Sequence, residues 1–169
     1  DWLPTEETLT DDEVVRLVRV GVERLGIRQV RFTGGEPLLR RGLEGIIEAC
    51  SHMRTDEGNP LDLALTTNAL GLAKRAQGLK DAGLNRVNIS LDSLDPEHFA
   101  AITRRDRLGD VLEGIEAAAR AGLSPIKVNA LVLRGMNEAD LPDLVDYCLD
   151  RGIELRVIEQ MPIGPPDTW

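Results

Sequence analysis

The chain has 169 residues, 42% of them hydrophobic, which is enough for one sizeable core in a single domain, residues 1–169. Twenty basic against twenty-nine acidic side chains leave a net charge of −9, which argues against general affinity for nucleic acid or an anionic membrane. No apolar run approaches the roughly 20 residues that span a bilayer, and DWLPTEETLTDDE has the pattern of no signal peptide, so the expected location is cytoplasmic.

Thr10 followed by Glu13 has the form of a capping box, and Val14, Leu17, Val18, Val22 and Leu25 recur at helical spacing up to Gly26, predicting a helix over 11–25. RQVRFT at 28–33 has the β-rich character of a strand, and after GGEP the residues Leu43, Ile46, Ile47 and Cys50 resume a helical period. The pattern then repeats. Strands are predicted at 61–66, 86–91, 125–133 and 153–159. Helices are predicted near 70–82, 108–121 and 138–151, with a further short segment opened by Asp95-Pro96. Strands that alternate with helices make an α/β protein with a parallel sheet, because parallel neighbours need a long crossover. Both an open doubly wound sheet and a barrel or partial barrel satisfy this pattern.

Side chains alternate across a strand. One parity set is apolar: Val30, Phe32, Leu61, Leu63, Leu65, Val87, Ile89, Leu91, Val128, Ala130, Val132, Ile153, Leu155 and Val157. The other holds Arg31, Thr33, Thr66, Asn88, Ser90, Asp92, Lys127, Asn129, Glu154 and Arg156, with Asn68 just beyond. Unpaired polar groups in a dry interior cost roughly 1–3 kcal/mol each, so this face is expected to meet ligand or water. Arg31 and Lys127 suit an anionic, phosphate-bearing ligand.

GGEP at 34–37 sits where the first strand ends, the edge at which parallel α/β folds bind ligands. It is neither a Walker loop nor GxGxxG. Its two glycine carbonyls, one carboxylate and φ-fixed proline form acceptors suited to an ammonium group. A turn in which Glu36 caps the next helix explains the same four residues. The only cysteines, Cys50 and Cys148, lie apart in helical patterns and read as buried thiols, so no metal site is expected in this chain. His52 and His98 read as surface residues.

RFTGGEPLLR, LTTN, VNISLDSLDPEHFAAIT, IKVNALVLRGMNEADL and ELRVIEQMPIG occur in this order, and together they resemble the GTP 3′,8-cyclase family of radical S-adenosylmethionine enzymes. The resemblance implies a partial, TIM-like (βα)6 barrel holding S-adenosylmethionine and GTP beside two 4Fe-4S clusters. The implied lyase reaction converts GTP to (8S)-3′,8-cyclo-7,8-dihydroguanosine 5′-triphosphate in molybdenum cofactor biosynthesis. It further implies that Gly34, Gly35 and Glu36 meet the amino group of adenosylmethionine, that Ser90 and Met161 are further contacts to that cofactor, and that Arg31, Thr66 and Lys127 contact GTP. Ala69 stands where the family usually has glycine.

The family's cluster-binding Cys-x3-Cys-x2-Cys loop and its second three-cysteine set do not occur in these residues, and the first barrel strand and C-terminal extension are expected to be absent. The chain, which begins at Asp1, therefore reads as the central part of a longer protein, with no catalytic residue of its own and no activity by itself. The implied partners are GTP, an electron donor and the downstream cyclic pyranopterin monophosphate synthase protein, with a homodimer left open. Two other readings remain: another radical S-adenosylmethionine enzyme acting on a peptide, and a non-catalytic module binding a nucleotide or adenosylmethionine.

Overall fold

A computed structural model describes residues 8–160. The first helix, α1, runs Asp11–Leu25. Thr10 and Glu13 cap it reciprocally, Thr10 N–H donating to Glu13 Oε2 at 2.8 Å and Glu13 N–H to Thr10 Oγ1 at 3.3 Å. Gly26 ends it in the left-handed region at φ 66°, where a Cβ is disfavoured. Then follow β1 Gln29–Phe32, a 3-10 turn at Pro37–Leu39, α2 Leu43–Ser51, β2 Asp62–Thr67, α3 Leu72–Asp81 and β3 Arg86–Ser90. Next come α4 Pro96–Thr103, α5 Leu108–Arg120 and β4 Ile126–Val132, and after them a 3-10 turn at Glu138–Asp140, α6 Leu141–Asp150 and β5 Glu154–Glu159.

All five strands are parallel and lie in the order β1-β2-β3-β4-β5. A doubly wound sheet reverses direction at a switch point. This sheet has none, so each crossover advances by one strand, and the architecture is an arc of a (βα) barrel. No described helix is long and apolar enough to cross a membrane.

The apolar parity set forms the core with the helices. Leu63, Leu65, Val87, Ile89, Leu91, Val128 and Ala130 are fully buried, against Ile46, Ile47, Leu72, Leu79, Ile115 and Leu144 from the helices. Each of the Leu, Ile and Val side chains contributes about 1.5–3 kcal/mol on burial. Coverage fails at the outer strand, where Val157 of β5 is exposed. Leu17 and Leu25 of α1 also face solvent despite their helical spacing, while Val22 reaches the core.

Two element boundaries differ from the sequence reading for identifiable reasons. The helix expected over 138–151 divides into a 3-10 turn and α6, with Pro142 in the first turn of α6, where its missing N–H leaves no bond unmade. The helix expected from 70 begins at Leu72, because Ala69 and Gly71 both adopt positive φ, at 63° and 88°.

Candidate functional site

The strand register arranges the polar face in rows. Asp62 and Arg86 close its lower end with a bidentate ion pair, Arg86 Nη2 lying 2.7 Å from Asp62 Oδ2. Arg31 shares the row of Arg86, with Ala64 between them, and is exposed with no ion pair among the described residues. Above it Thr66, Asn88, Lys127 and Glu154 stand side by side across four strands. Above these follow Ser90, Asn129 and Arg156. Strands lie about 4.8 Å apart, which puts Thr66 and Lys127 roughly 10 Å apart, with Asn88 between them. The face is not uniformly polar. Ala64, Leu131 and Ile158 share its parity, and Ala64 is fully buried.

Lys127 Nζ pairs with Glu154 Oε2 at 2.6 Å, and Arg156 Nε donates to Glu154 Oε1 at 2.8 Å. These two cations, Lys127 first, hold the Glu154 carboxyl below the usual carboxylate range. Asn88 is buried and donates to Thr66 Oγ1 at 3.4 Å, while its Oδ1 has no partner among the described residues.

The GGEP turn lies at the C-terminal end of β1. Gly34 sits at φ 140°, a conformation that favours glycine, with open space where a Cβ would stand. Glu36 turns back into the protein. Its Oε1 accepts Leu38 N–H at 3.0 Å and the Thr67 hydroxyl at 2.7 Å, and its Oε2 accepts Asn68 N–H at 2.8 Å. The carboxylate thus caps the 3-10 turn and fastens it to the end of β2. Thr67 Oγ1 in turn accepts Ala69 N–H at 3.0 Å, and Asn68 Oδ1 accepts Leu70 N–H at 2.9 Å.

A cleft of about 190 Å³ opens over the ends of β2 and β3, bounded by Asn68, Ser90 and Asp92, with Phe99 of α4 and with Arg105 and Arg107 of the following loop. Burial pushes the Asp92 carboxyl up, against the opposing effect of Leu131 N–H, which donates to Asp92 Oδ1 at 2.8 Å. Asn137 is buried behind it, donating to Asp92 O at 2.7 Å and to Leu131 O at 2.9 Å and accepting Leu133 N–H at 2.7 Å. This knits the loop after β3 to the loop after β4. Beyond it, Ser93 Oγ donates to Asp140 Oδ2 at 2.5 Å, and the same oxygen meets His98 Nδ1 at 2.8 Å. His98, in the first turn of α4, therefore contacts the 3-10 turn before α6 and is not a plain surface residue.

The Radical SAM superfamily profile matches residues 2–148. The chain belongs to the radical SAM superfamily. Among curated relatives, a GTP 3′,8-cyclase of Corynebacterium glutamicum is 59% identical over 169 residues, which is all of this radical SAM chain and 45% of the relative. A GTP 3′,8-cyclase 2 of Mycobacterium tuberculosis is 52% identical over 168 residues, covering 99% of the chain and 46% of the relative. The chain thus spans about half the length of these curated relatives. Among solved structures, Streptococcus suis SuiB bound to S-adenosylmethionine superposes with a TM-score of 0.73 at 20% identity, over 93% of this chain and 35% of that one. That likeness supports the barrel fold.

For this radical SAM chain the described residues do not fit an iron–sulfur cluster. No group of three or more His, Cys, Asp or Glu side chains among them could hold a metal ion. Cys50 and Cys148 are free and buried in α2 and α6. Burial pushes the Cys50 thiol up to about 11 and raises that of Cys148.

Of the residues singled out in the sequence, Arg31, Thr66, Ser90 and Lys127 share the polar face, and Gly34, Gly35 and Glu36 form the adjoining turn. Met161 lies outside the described residues. The parity pattern contained Asn88 and Glu154 but could not show that they flank Lys127, because register is absent from a single strand's sequence. Arg105 and Arg107 carried no signal beyond a charged run.

Proposed function

We propose that the polar face binds GTP across its middle and S-adenosylmethionine at its upper edge, and that the chain is the barrel portion of a GTP 3′,8-cyclase. The relatives at 52–59% identity support the reading, and one observation carries it: the register sets Thr66 and Lys127 in one row, with Arg31 one row lower on the adjoining part of the sheet. Two cations and a hydroxyl on one face of the sheet suit phosphate oxygens.

The residues present also fit adenosylmethionine, which is zwitterionic at its methionine end. The carbonyls of Gly34 and Gly35 would accept from its ammonium group, and Ser90 offers a hydroxyl at the strand end bounding the cleft. Glu36 already accepts three internal donors, so its contribution is to hold the turn in place. When bound, adenosylmethionine supplies the hydrogen-abstracting chemistry of the superfamily. This chain binds and orients both ligands. With only two cysteines, both buried, it offers no thiolate triplet, so on this reading it forms no 5′-deoxyadenosine by itself. The reading implies an electron donor and a downstream synthase as partners of the whole protein, and a cytoplasmic setting.

Calorimetric titration with GTP tests this. Lys127→Met and Arg31→Ala should each weaken binding about tenfold or more, since a hydrogen bond to a charged group is worth roughly 1.5–3 kcal/mol. GTP affinity indifferent to both substitutions would overturn the assignment of this face.

A further inference from the structure

Lys127 has a neighbour on each side in its row: Asn88 on β3 and Glu154 on β5. Adjacent strands are about 4.8 Å apart, so a four-carbon stem carries the ammonium over either neighbour. It lies over Glu154, at 2.6 Å, with the lysine side chain only 13% exposed. On the other side Asn88, itself 1% exposed, keeps a buried Oδ1 with no partner among the described residues. A charged donor thus stands one strand from an acceptor it leaves unsatisfied, held off by a carboxylate on the outer strand. Glu154 does not depend on Lys127 alone, because Arg156 Nε occupies its other oxygen at 2.8 Å. If Lys127 departs, Glu154 remains paired.

We propose that Glu154 is a built-in competitor for the anion that Lys127 binds, an internal carboxylate that holds the ammonium on the outer strand until a phosphate-bearing ligand takes it. The inference rests on the nucleotide-binding reading above and adds to it the residue that sets affinity at that site. Every ligand that uses Lys127 must first displace Glu154, so stray single anions are held to low occupancy. A triphosphate that also meets Thr66 and Arg31 recovers the cost. Movement of Lys127 toward the middle of the row brings a donor within reach of Asn88 Oδ1.

The test titrates the chain, Glu154→Gln, Lys127→Met and the double variant with GTP, guanosine and inorganic tripolyphosphate at one low ionic strength. The proposal expects Glu154→Gln to bind GTP and tripolyphosphate about two- to fivefold tighter, the strength of a half-exposed ion pair. Guanosine should be unaffected, and the gain should vanish when Lys127 is methionine. A purely structural Glu154 would leave tripolyphosphate binding unchanged or weaker, and that result overturns the proposal, as does a gain that survives in Lys127→Met. Should GTP bind no better than tripolyphosphate, the nucleotide reading fails, while the tripolyphosphate comparison still decides the role of Glu154.

Discussion

Glu36 Oε2 accepts the backbone N–H of Asn68 at 2.8 Å, so the turn that ends β1 is held by the residue that follows β2. With Thr67 and Leu38 also donating, this one carboxylate fixes the position of the two glycines ahead of it. Glu36→Ala should cost about 2–3 kcal/mol, because the lost bonds involve a charge and leave Thr67 and the Asn68 N–H without their acceptor. A thermal melt should fall by roughly 5–10 °C, with Glu36→Gln intermediate.

Ala69 adopts the left-handed region, φ 63°, although it carries a Cβ. Its neighbour explains how the side chain fits. A Cβ at Gly114 would lie 3.0 Å from Ala69 O and 3.2 Å from Ala69 Cβ, so the methyl of Ala69 occupies space that Gly114 leaves open. Gly114→Ala should destabilise by about 1–3 kcal/mol through overpacking. Ala69→Gly should gain about 0.5–1 kcal/mol more in the Gly114→Ala background than in the unmodified chain, a non-additivity that urea titration of the four proteins measures.

The bridge between His98 and Asp140 predicts a pH dependence. The Asp140 carboxylate is the main cause that raises the His98 pKa, and Ser93 followed by His98 lowers that of Asp140. For His98 the raised folded value means a contribution fully present below the ordinary histidine pKa of about 6.5 and lost as pH rises through the folded value. For Asp140 the lowered folded value means a contribution present above the ordinary carboxylate range and lost as pH falls through the folded value. Stability should therefore decline as pH rises past the histidine range in the unmodified chain, and His98→Gln should flatten that decline in melts across the same interval.

Cys50 and Cys148 are buried thiols held protonated, Cys50 with a pKa pushed up to about 11. A thiolate is the reactive form, so a thiol reagent at pH 8 should label neither residue in the folded chain and both in denaturant. Rapid labelling of the folded chain would mean that α2 or α6 opens readily.

Much of this was legible in the sequence because it is encoded locally. The capping box and Gly26 bound α1, Asp95 before Pro96 starts α4, and two-residue alternation separates Val87 and Ile89 from Asn88 and Ser90. What depends on pairing was not legible. Whether the sheet closes as an arc is decided by strand order, which five similar βα units leave open. That Lys127 faces Glu154, that Glu36 reaches Asn68, and that His98 reaches Asp140 are all contacts between residues 27 or more apart in the chain, which spacing within one element cannot show.

The measurement that most directly tests the assignment of the polar face is amide chemical-shift mapping of the isotope-labelled chain during separate titrations with GTP and S-adenosylmethionine. GTP should shift Arg31, Thr66 and Lys127 together with Asn88 and Glu154, and adenosylmethionine should shift Gly34, Gly35 and Ser90, while α2, α3 and α5 on the opposite side stay still. Shifts centred on those helices, or none on the polar face at saturating ligand, would contradict the assignment.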